Sequence, residues 1–500
     1  MDLIRRLSLF FVVACAPVPA TQMHAAALTA GDCLPLVTGT PAQVRDAIQA
    51  AMDAATARPD GGTVCLGAGR WTVERKQPGA YNRFAALDTH SGHPLTLRGV
   101  GPETVLELVG DQGAETAIVL SIDPGAEHVL VTDLTIDTAA ATNTAEQTHA
   151  IATSGICSGA TCKPIRDIEV RSVHFNHPRN TPARKGDCVR LIGNEAPTTT
   201  TLGTELYGFR VIDNTGDCAR SFVEIQRGIH DGVVADNTIT CATCDQDIDG
   251  EATGVNGTDG RPTGIVISGN TFYDGPGTQG DFSISMTSAT GVTIVGNTLP
   301  RGIALYRSTD VAIAGNAISA MNTTTERGVI EAVNACEGLT LVGNVVRRGG
   351  HLGPLITLSP HSGTTCSGAT IAGNTLTQGT PAWAIKLESA SRTLVTGNRI
   401  AFAVPAPAFS GVYSHSVMAA ERTTGLMISN NLITGAVTYG VTLEAYPGSF
   451  GPVSVTGNTA PDVVFGLRCA EQGFAGAVTA SGNAWPPGVW PTATVTNGTP

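Results

Sequence analysis

The densest run of acid in the chain is Asp245-Gln-Asp247-Ile-Asp249-Gly-Glu251, four carboxylates on alternate residues. On an extended strand such side chains share one face and lie roughly 6–7 Å apart. A carboxyl pair about 6.5–9.5 Å apart suits inverting hydrolysis of a glycosidic bond, one acid protonating the leaving oxygen while one base activates water. Asp247 and Asp249 are the pair this spacing offers, with Glu251 and the earlier Glu224 tuning their pKa values by like charge. The same oxygens can instead collect Ca²⁺, which bridges an acidic sugar while Arg220 or Arg190 neutralises or deprotonates it. An acidic strip also occurs as a plain solvated face or a structural ion site.

The elements that must position these groups are written in a repeat. Ile267-Ser-Gly-Asn270-Thr-Phe, Ile294-Val-Gly-Asn297-Thr-Leu, Ile313-Ala-Gly-Asn316-Ala-Ile and Ile371-Ala-Gly-Asn374-Thr-Leu are variants of one phrase. Steps of roughly 20–30 residues carry it from Asn214 to Asn483, counting Asn430 as one step, and such self-similarity marks a solenoid. The apolar alternation has period two, which suits strands, and Gly-Asn turns through left-handed backbone. Asn recurring at one corner can hydrogen-bond to the Asn above and below it. These features predict an all-β chain, a right-handed parallel β-helix of around thirteen coils and roughly 60 Å, with an N-terminal capping helix.

Corner asparagines also set a register. Ile225 and Ile248 each lie eleven residues after theirs, Asn214 and Asn237. If both point inward, Asp247, Asp249 and Glu251 face out with Asp245 leading them. On the coil before, Glu224 then stacks beside Asp247 and Gln226 beside Asp249, with Arg220 and Phe222 also facing out. The expected chemical set is Asp247, Asp249, Glu251 and Arg220. Glu224, Gln226, Arg190, Phe222 and Asp245 are expected to contact substrate. His174, His177 and His351 are scattered, and read as surface or loop residues.

Five hundred residues carry a formal net charge of −12, which lacks the basic footprint of a nucleic-acid binder. At the start, Arg5 and Arg6 precede an apolar stretch from Leu7 to Ala14 and then small residues, the pattern of a secretory signal over 1–27. The stretch is too short to span a bilayer. Val12-Val-Ala-Cys15 resembles the lipobox of bacterial lipoproteins, so a cleaved peptide and an acylated Cys15 both stand open. Secretion or periplasmic export is expected, with outer-membrane lipoprotein as the other fate, and a monomer. The expected organisation is a cap segment over 28–70, the β-helix over 71–485 and a tail over 486–500.

Thr40-Pro-Ala-Gln-Val-Arg begins a helix, with Thr40 as N-cap, Pro41 in the first turn and Val44, Ile48, Met52 and Ala55 on one stripe. A solenoid's open end needs such a cover. At Gly61-Gly-Thr-Val-Cys-Leu-Gly-Ala-Gly-Arg-Trp-Thr-Val and Leu95-Thr-Leu-Arg-Gly-Val-Gly the chain resembles the pectin-lyase-like superfamily of right-handed β-helix proteins. The resemblance implies the fold from about Thr40 onward. No named activity comes with it. Of the Asn-Thr-Asp, Asp-Asp, His-Gly and Arg-Ile-Lys signatures of polygalacturonase-like enzymes, only a broken Asn214-Thr-Gly-Asp217 and an Ile385-Lys386 without its Arg remain. The Asp-Pro-His element of alginate epimerases is absent. Fold and export point to a polysaccharide-cleaving enzyme, hydrolase before lyase; the alternative is a non-catalytic envelope protein serving as a rigid binding rod.

Export favours disulfides. Cys336 and Cys366 each precede a corner Asn by eight residues, so they stack in adjacent coils. Cys188 and Cys218 lie in repeated Gly-Asp-Cys-x-Arg phrases, Cys33 and Cys65 flank the cap helix, and Cys157 and Cys162 can close a small loop. Cys241-Ala-Thr-Cys244 reads as a local bridge ahead of a redox motif or of a thiolate metal site with Cys188 and Cys218. Cys469 has no evident partner.

Overall fold

Alternation of apolar and polar residues resolves into long parallel sheets in the computed structural model of the chain. It describes residues 33–486 apart from 77–83, 111–115, 146, 155–162, 178–185, 194–203, 242, 252–259, 276–279, 321–325, 350–351, 361–365, 417–422, 445–450 and 471–477. Residues 1–27, read above as an expected export signal that includes Cys15, fall outside the described residues, as do Cys157, Cys162, His351 and nearly all of 486–500.

Among the described residues, fourteen strands form one sheet, from Ala85–Thr89 to Phe465–Ala470, and twenty-six form a second. Every described strand pairing between coils is parallel, and the winding is that of a right-handed parallel β-helix, the hand that parallel crossovers favour. At ~4.8 Å per coil the fourteen-stranded face runs about 60 Å. Its buried side carries one aliphatic row in strict register: Val189, Val223, Ile248, Ile284, Ile303, Ile330, Ile356 and Ile385. Each such residue is removed from water only by its neighbours above and below, so the coils are stable as a stack.

Eleven asparagines from Asn214 to Asn483 line one corner. Each side-chain amide but that of Asn483 donates to the Oδ1 of the Asn on the next coil at 2.8–3.0 Å. That Oδ1 also accepts the backbone N–H of the Asn before it, as between Asn214 and Asn237. The residue ahead of each described rung is left-handed: Gly at most corners, Asp213 and Asp236 at the first two. Here the structure corrects the expected position by one residue, because Asn431 and not Asn430 is the rung. Asn430 takes the glycine's place with φ 55°.

The expected cap is present. The helix Pro41–Thr56 starts at Thr40, whose hydroxyl accepts from the Gln43 N–H while the Gln43 side chain accepts from the Thr40 N–H. Val44, Ile48, Met52 and Ala55 are buried against the first coils. Cys33–Cys65, Cys188–Cys218, Cys241–Cys244 and Cys336–Cys366 are disulfides, with Cα separations of 4.5–5.8 Å. Bonded sulfurs offer no thiolates, so the four-cysteine metal alternative falls. Cys469 is free and buried.

Candidate active site

Three consecutive strands of the fourteen-stranded sheet, Asp187–Leu191, Ser221–Ile225 and Ile248–Gly250, build the site. Their register is Val189 against Val223 against Ile248, which point inward. Alternation therefore aligns Arg190, Glu224 and Asp249 as one outward row. This corrects the expected register by two residues: Glu224 stands opposite Asp249 and not Asp247, and Ile225 stands opposite Gly250. A slip of two keeps Asp249 on the outer face, where it and Glu251 are partly exposed.

Two expected site residues are not on that face. Asp247 is fully buried at the corner, 3.1 Å from the buried Arg301, which also meets Asp274 at 2.9 Å. Burial, opposed by Arg301, pushes the Asp247 pKa up to about 6. Phe222 is buried between Phe175 and Phe272, in a file of rings 6.1 and 6.3 Å apart. Asp245 sits in the turn ahead of the strand, where its backbone carbonyl accepts from Arg301.

The rest converge. Glu224 is the hub: Arg190 Nε donates to it at 2.8 Å, Arg220 lies at 2.5 Å, and Gln226 Nε2 donates at 2.7 Å. Arg220 also grips Asp187 with two hydrogen bonds of 3.0 and 2.8 Å. Its guanidinium is thus engaged by carboxylates of the protein itself. Burial opposes that charge, but Asp187 and Glu224 hold the Arg220 pKa above its usual value. Asp187 and His149 were not singled out from the sequence. Both are fully buried, and His149 Nδ1 lies 3.2 Å from the Asp187 amide and from its carboxylate. Burial, reinforced by Arg190, depresses the His149 pKa well below normal, so the imidazole is neutral. Of the other histidines, His174 is exposed, whereas His177 is buried against Thr138 at 2.5 Å, not at the surface.

Four carboxylates, Asp187, Glu224, Asp249 and Glu251, share two guanidiniums, Arg190 and Arg220. Full ionisation would leave two negative charges in a mostly dry cluster, which is costly. The deficit appears as proton affinity. Burial, with the charges of Glu224 and Glu251, pushes Asp249 up to about 7, and burial with Asp187 pushes Glu224 up to about 7. Glu224, Asp249 and Glu251 each present an oxygen within 4.8 Å of the others. Such a cluster can hold a proton for transfer, or share a divalent cation.

No family model matches the chain, and no curated protein does. Among solved structures it is similar to the Azotobacter vinelandii mannuronan C-5 epimerase AlgE6 A-module, at 17% identity over 89% of this chain and 95% of that one, TM-score 0.44. It is also similar to the DFA-IIIase of Arthrobacter chlorophenolicus A6 in complex with DFA-III, at 12% identity over 82% and 93%, TM-score 0.45. A third is the catalytic unit of a GH87 alpha-1,3-glucanase from Streptomyces thermodiastaticus, at 16% identity over 95% and 71%, TM-score 0.40. These likenesses concern the path of the backbone.

Proposed function

We propose that the chain is a glycoside hydrolase acting on a polysaccharide laid along the outer face of the fourteen-stranded sheet, with Asp249 as its acid. The observation that carries this reading is a partly exposed carboxyl kept protonated near neutral pH by burial and by two neighbouring acids. General acids of glycosidases are tuned in this way. Asp249 donates its proton to the glycosidic oxygen as the C–O bond breaks. Glu251, the next outward residue along the strand, attacks the anomeric carbon as a carboxylate. Water, deprotonated by Asp249, then releases the sugar from Glu251. Asp249 and Glu251 offer oxygens within 4.8 Å of one another, closer to the spacing of about 5–5.5 Å of a retaining pair than to the roughly 6.5–9.5 Å of an inverting one, which favours retention of the anomeric configuration. Glu224, held by Arg190, Arg220 and Gln226, is a positioning residue that keeps the proton on Asp249.

The test is release of reducing ends from a panel of neutral and uronic polysaccharides, with Asp249→Asn as control. Turnover by the wild type that falls at least ~10³-fold in the variant is expected for loss of a general acid. Equal turnover by the two proteins on every substrate would overturn the assignment. Inactivity of the wild type on all of them, with binding retained, would favour the rigid binding rod.

The oxygens of Glu224, Asp249 and Glu251 also favour a second reading, a Ca²⁺ site serving a lyase on acidic sugars. Calorimetric titration with Ca²⁺ separates the two: binding abolished by Asp249→Asn supports the lyase, and absence of binding supports the hydrolase.

A further inference from the structure

Five coils beyond Asp249, on the same face, the sheet opens into a groove of about 500 Å³. The outward row runs Asp249, Ser285, Ala304, Glu331, Thr357, Lys386 in unbroken register. Five steps of ~4.8 Å set Lys386 roughly 24 Å from Asp249. Ser285 and Ala304 of this row are themselves buried, and a polysaccharide of that length laid over this stretch of the face reaches both ends.

Trp383 lines this groove and is only partly buried. Its ring is fixed from two sides, stacked on Tyr413 at 4.8 Å and met edge-on by Phe409 at 5.1 Å. A partly exposed indole locked in this manner presents a rigid apolar surface with little entropy left to lose. The polar lining is equally particular. Each groove cation is matched to a groove carboxylate: Arg327 to Glu331 at 2.9 Å, and Lys386 to Glu388 at 2.5 Å. Glu326 adds a further exposed negative charge. The buried hydroxyl of Thr357, also in the lining, has no hydrogen-bond partner among the described residues.

We propose that this groove is a distal subsite for neutral hexose units, the apolar face of a pyranose packing on Trp383 and its hydroxyls bonding to the paired charges. An anionic sugar would have to break Arg327–Glu331 or Lys386–Glu388 and approach an excess of carboxylates. A neutral sugar accepts and donates without disturbing either pair. The substrate class is accordingly a neutral polysaccharide long enough to reach from Asp249 to Trp383. This deepens the hydrolase reading and rests on it only for the catalytic end of the groove.

The test uses the full chain carrying Asp249→Asn, so that bound sugar is not consumed, and measures binding by calorimetry. The probes are cellohexaose, maltohexaose, laminarihexaose and hexagalacturonate. At least one neutral hexasaccharide is expected to bind, and Trp383→Ala to weaken it about tenfold or more, with Trp383→Phe losing less. Hexagalacturonate is expected to bind at least about tenfold more weakly than the best neutral probe. Circular dichroism melting of each variant confirms that it is folded. Hexagalacturonate binding as tightly, no neutral probe binding, or a folded Trp383→Ala protein binding unchanged would overturn the subsite. Turnover by Asp249→Asn equal to wild type would sink the hydrolase reading alone, because the binding comparison does not depend on it.

Discussion

Glu224 and Asp249 stand directly opposite one another on adjacent coils, side by side in the outward row. Like charges one strand spacing apart, in a largely dry setting, resist joint ionisation. Both carboxyls are held up to about 7, and Arg190 and Arg220 bear on Glu224 far more directly than on Asp249. The pair is asymmetric in its surroundings: Glu224 is buried and held by two guanidiniums, whereas Asp249 is partly exposed.

Stability should record the same pair. Both groups bind protons more tightly folded than unfolded, so their contribution is fully present below the ordinary carboxylate range, about pH 4, and is lost as pH rises through about 7. The wild-type melting temperature is expected to fall between pH 5 and pH 8. Asp249→Asn should flatten that slope. A melting temperature that rises over this interval, with no difference between the two proteins, would show that the cluster is not under charge stress.

Asp247 should behave differently from Asp249. Removing it with Asp247→Ala leaves Arg301 buried beside Asp274 alone, and loss of one partner of a buried pair costs about 3–5 kcal/mol. Urea denaturation should show that loss. A variant as stable as wild type would mean that Asp247 is not part of the structural frame.

The asparagine corner predicts a third effect. Asn316→Ala removes the acceptor of the Asn297 backbone and side-chain N–H groups, and the donor to Ile294 and Asn344. Leaving these buried groups unmatched should cost about 2–4 kcal/mol. A urea midpoint indistinguishable from wild type would remove the ladder from the account of stability.

Cys336 and Cys366 supply a fourth. Their Cα atoms lie 5.1 Å apart on neighbouring coils, closing a separation of 30 residues. Loss of the bridge in Cys336→Ser should cost roughly 3–4 kcal/mol by loop entropy. Non-reducing peptide mapping should find the two joined, and free thiols at both positions would contradict the register.

What the sequence showed and what it hid follow from the range of each interaction. The Asn corner, the cap helix and the stacked cysteines are written within one coil, so their spacing made them readable. The offset from corner to sheet is not constant: Val223 lies nine residues after Asn214, but Ile248 lies eleven after Asn237, the second coil carrying the Cys241–Cys244 loop. An even slip preserved the facing of Asp249 and Glu251 while misplacing their neighbours. Asp247 is turned inward by Arg301, two coils later, and His149 meets Asp187 from the coil before. No local pattern carries contacts of that kind. The repeated Gly-Asp-Cys-x-Arg phrase, read only for its cysteines, also contains Asp187, the anchor of Arg220.

The most direct measurement is the pH profile of kcat/KM for wild type and Glu224→Gln on a substrate that the wild type cleaves. If Asp249 is the acid, activity falls above about pH 7 as its proton is lost. Glu224→Gln removes a charge that raises the Asp249 pKa and frees Arg220 to lower it, so the basic limb should move to lower pH. A basic limb that stays in place, or activity undiminished well above pH 7, would contradict the assignment of Asp249.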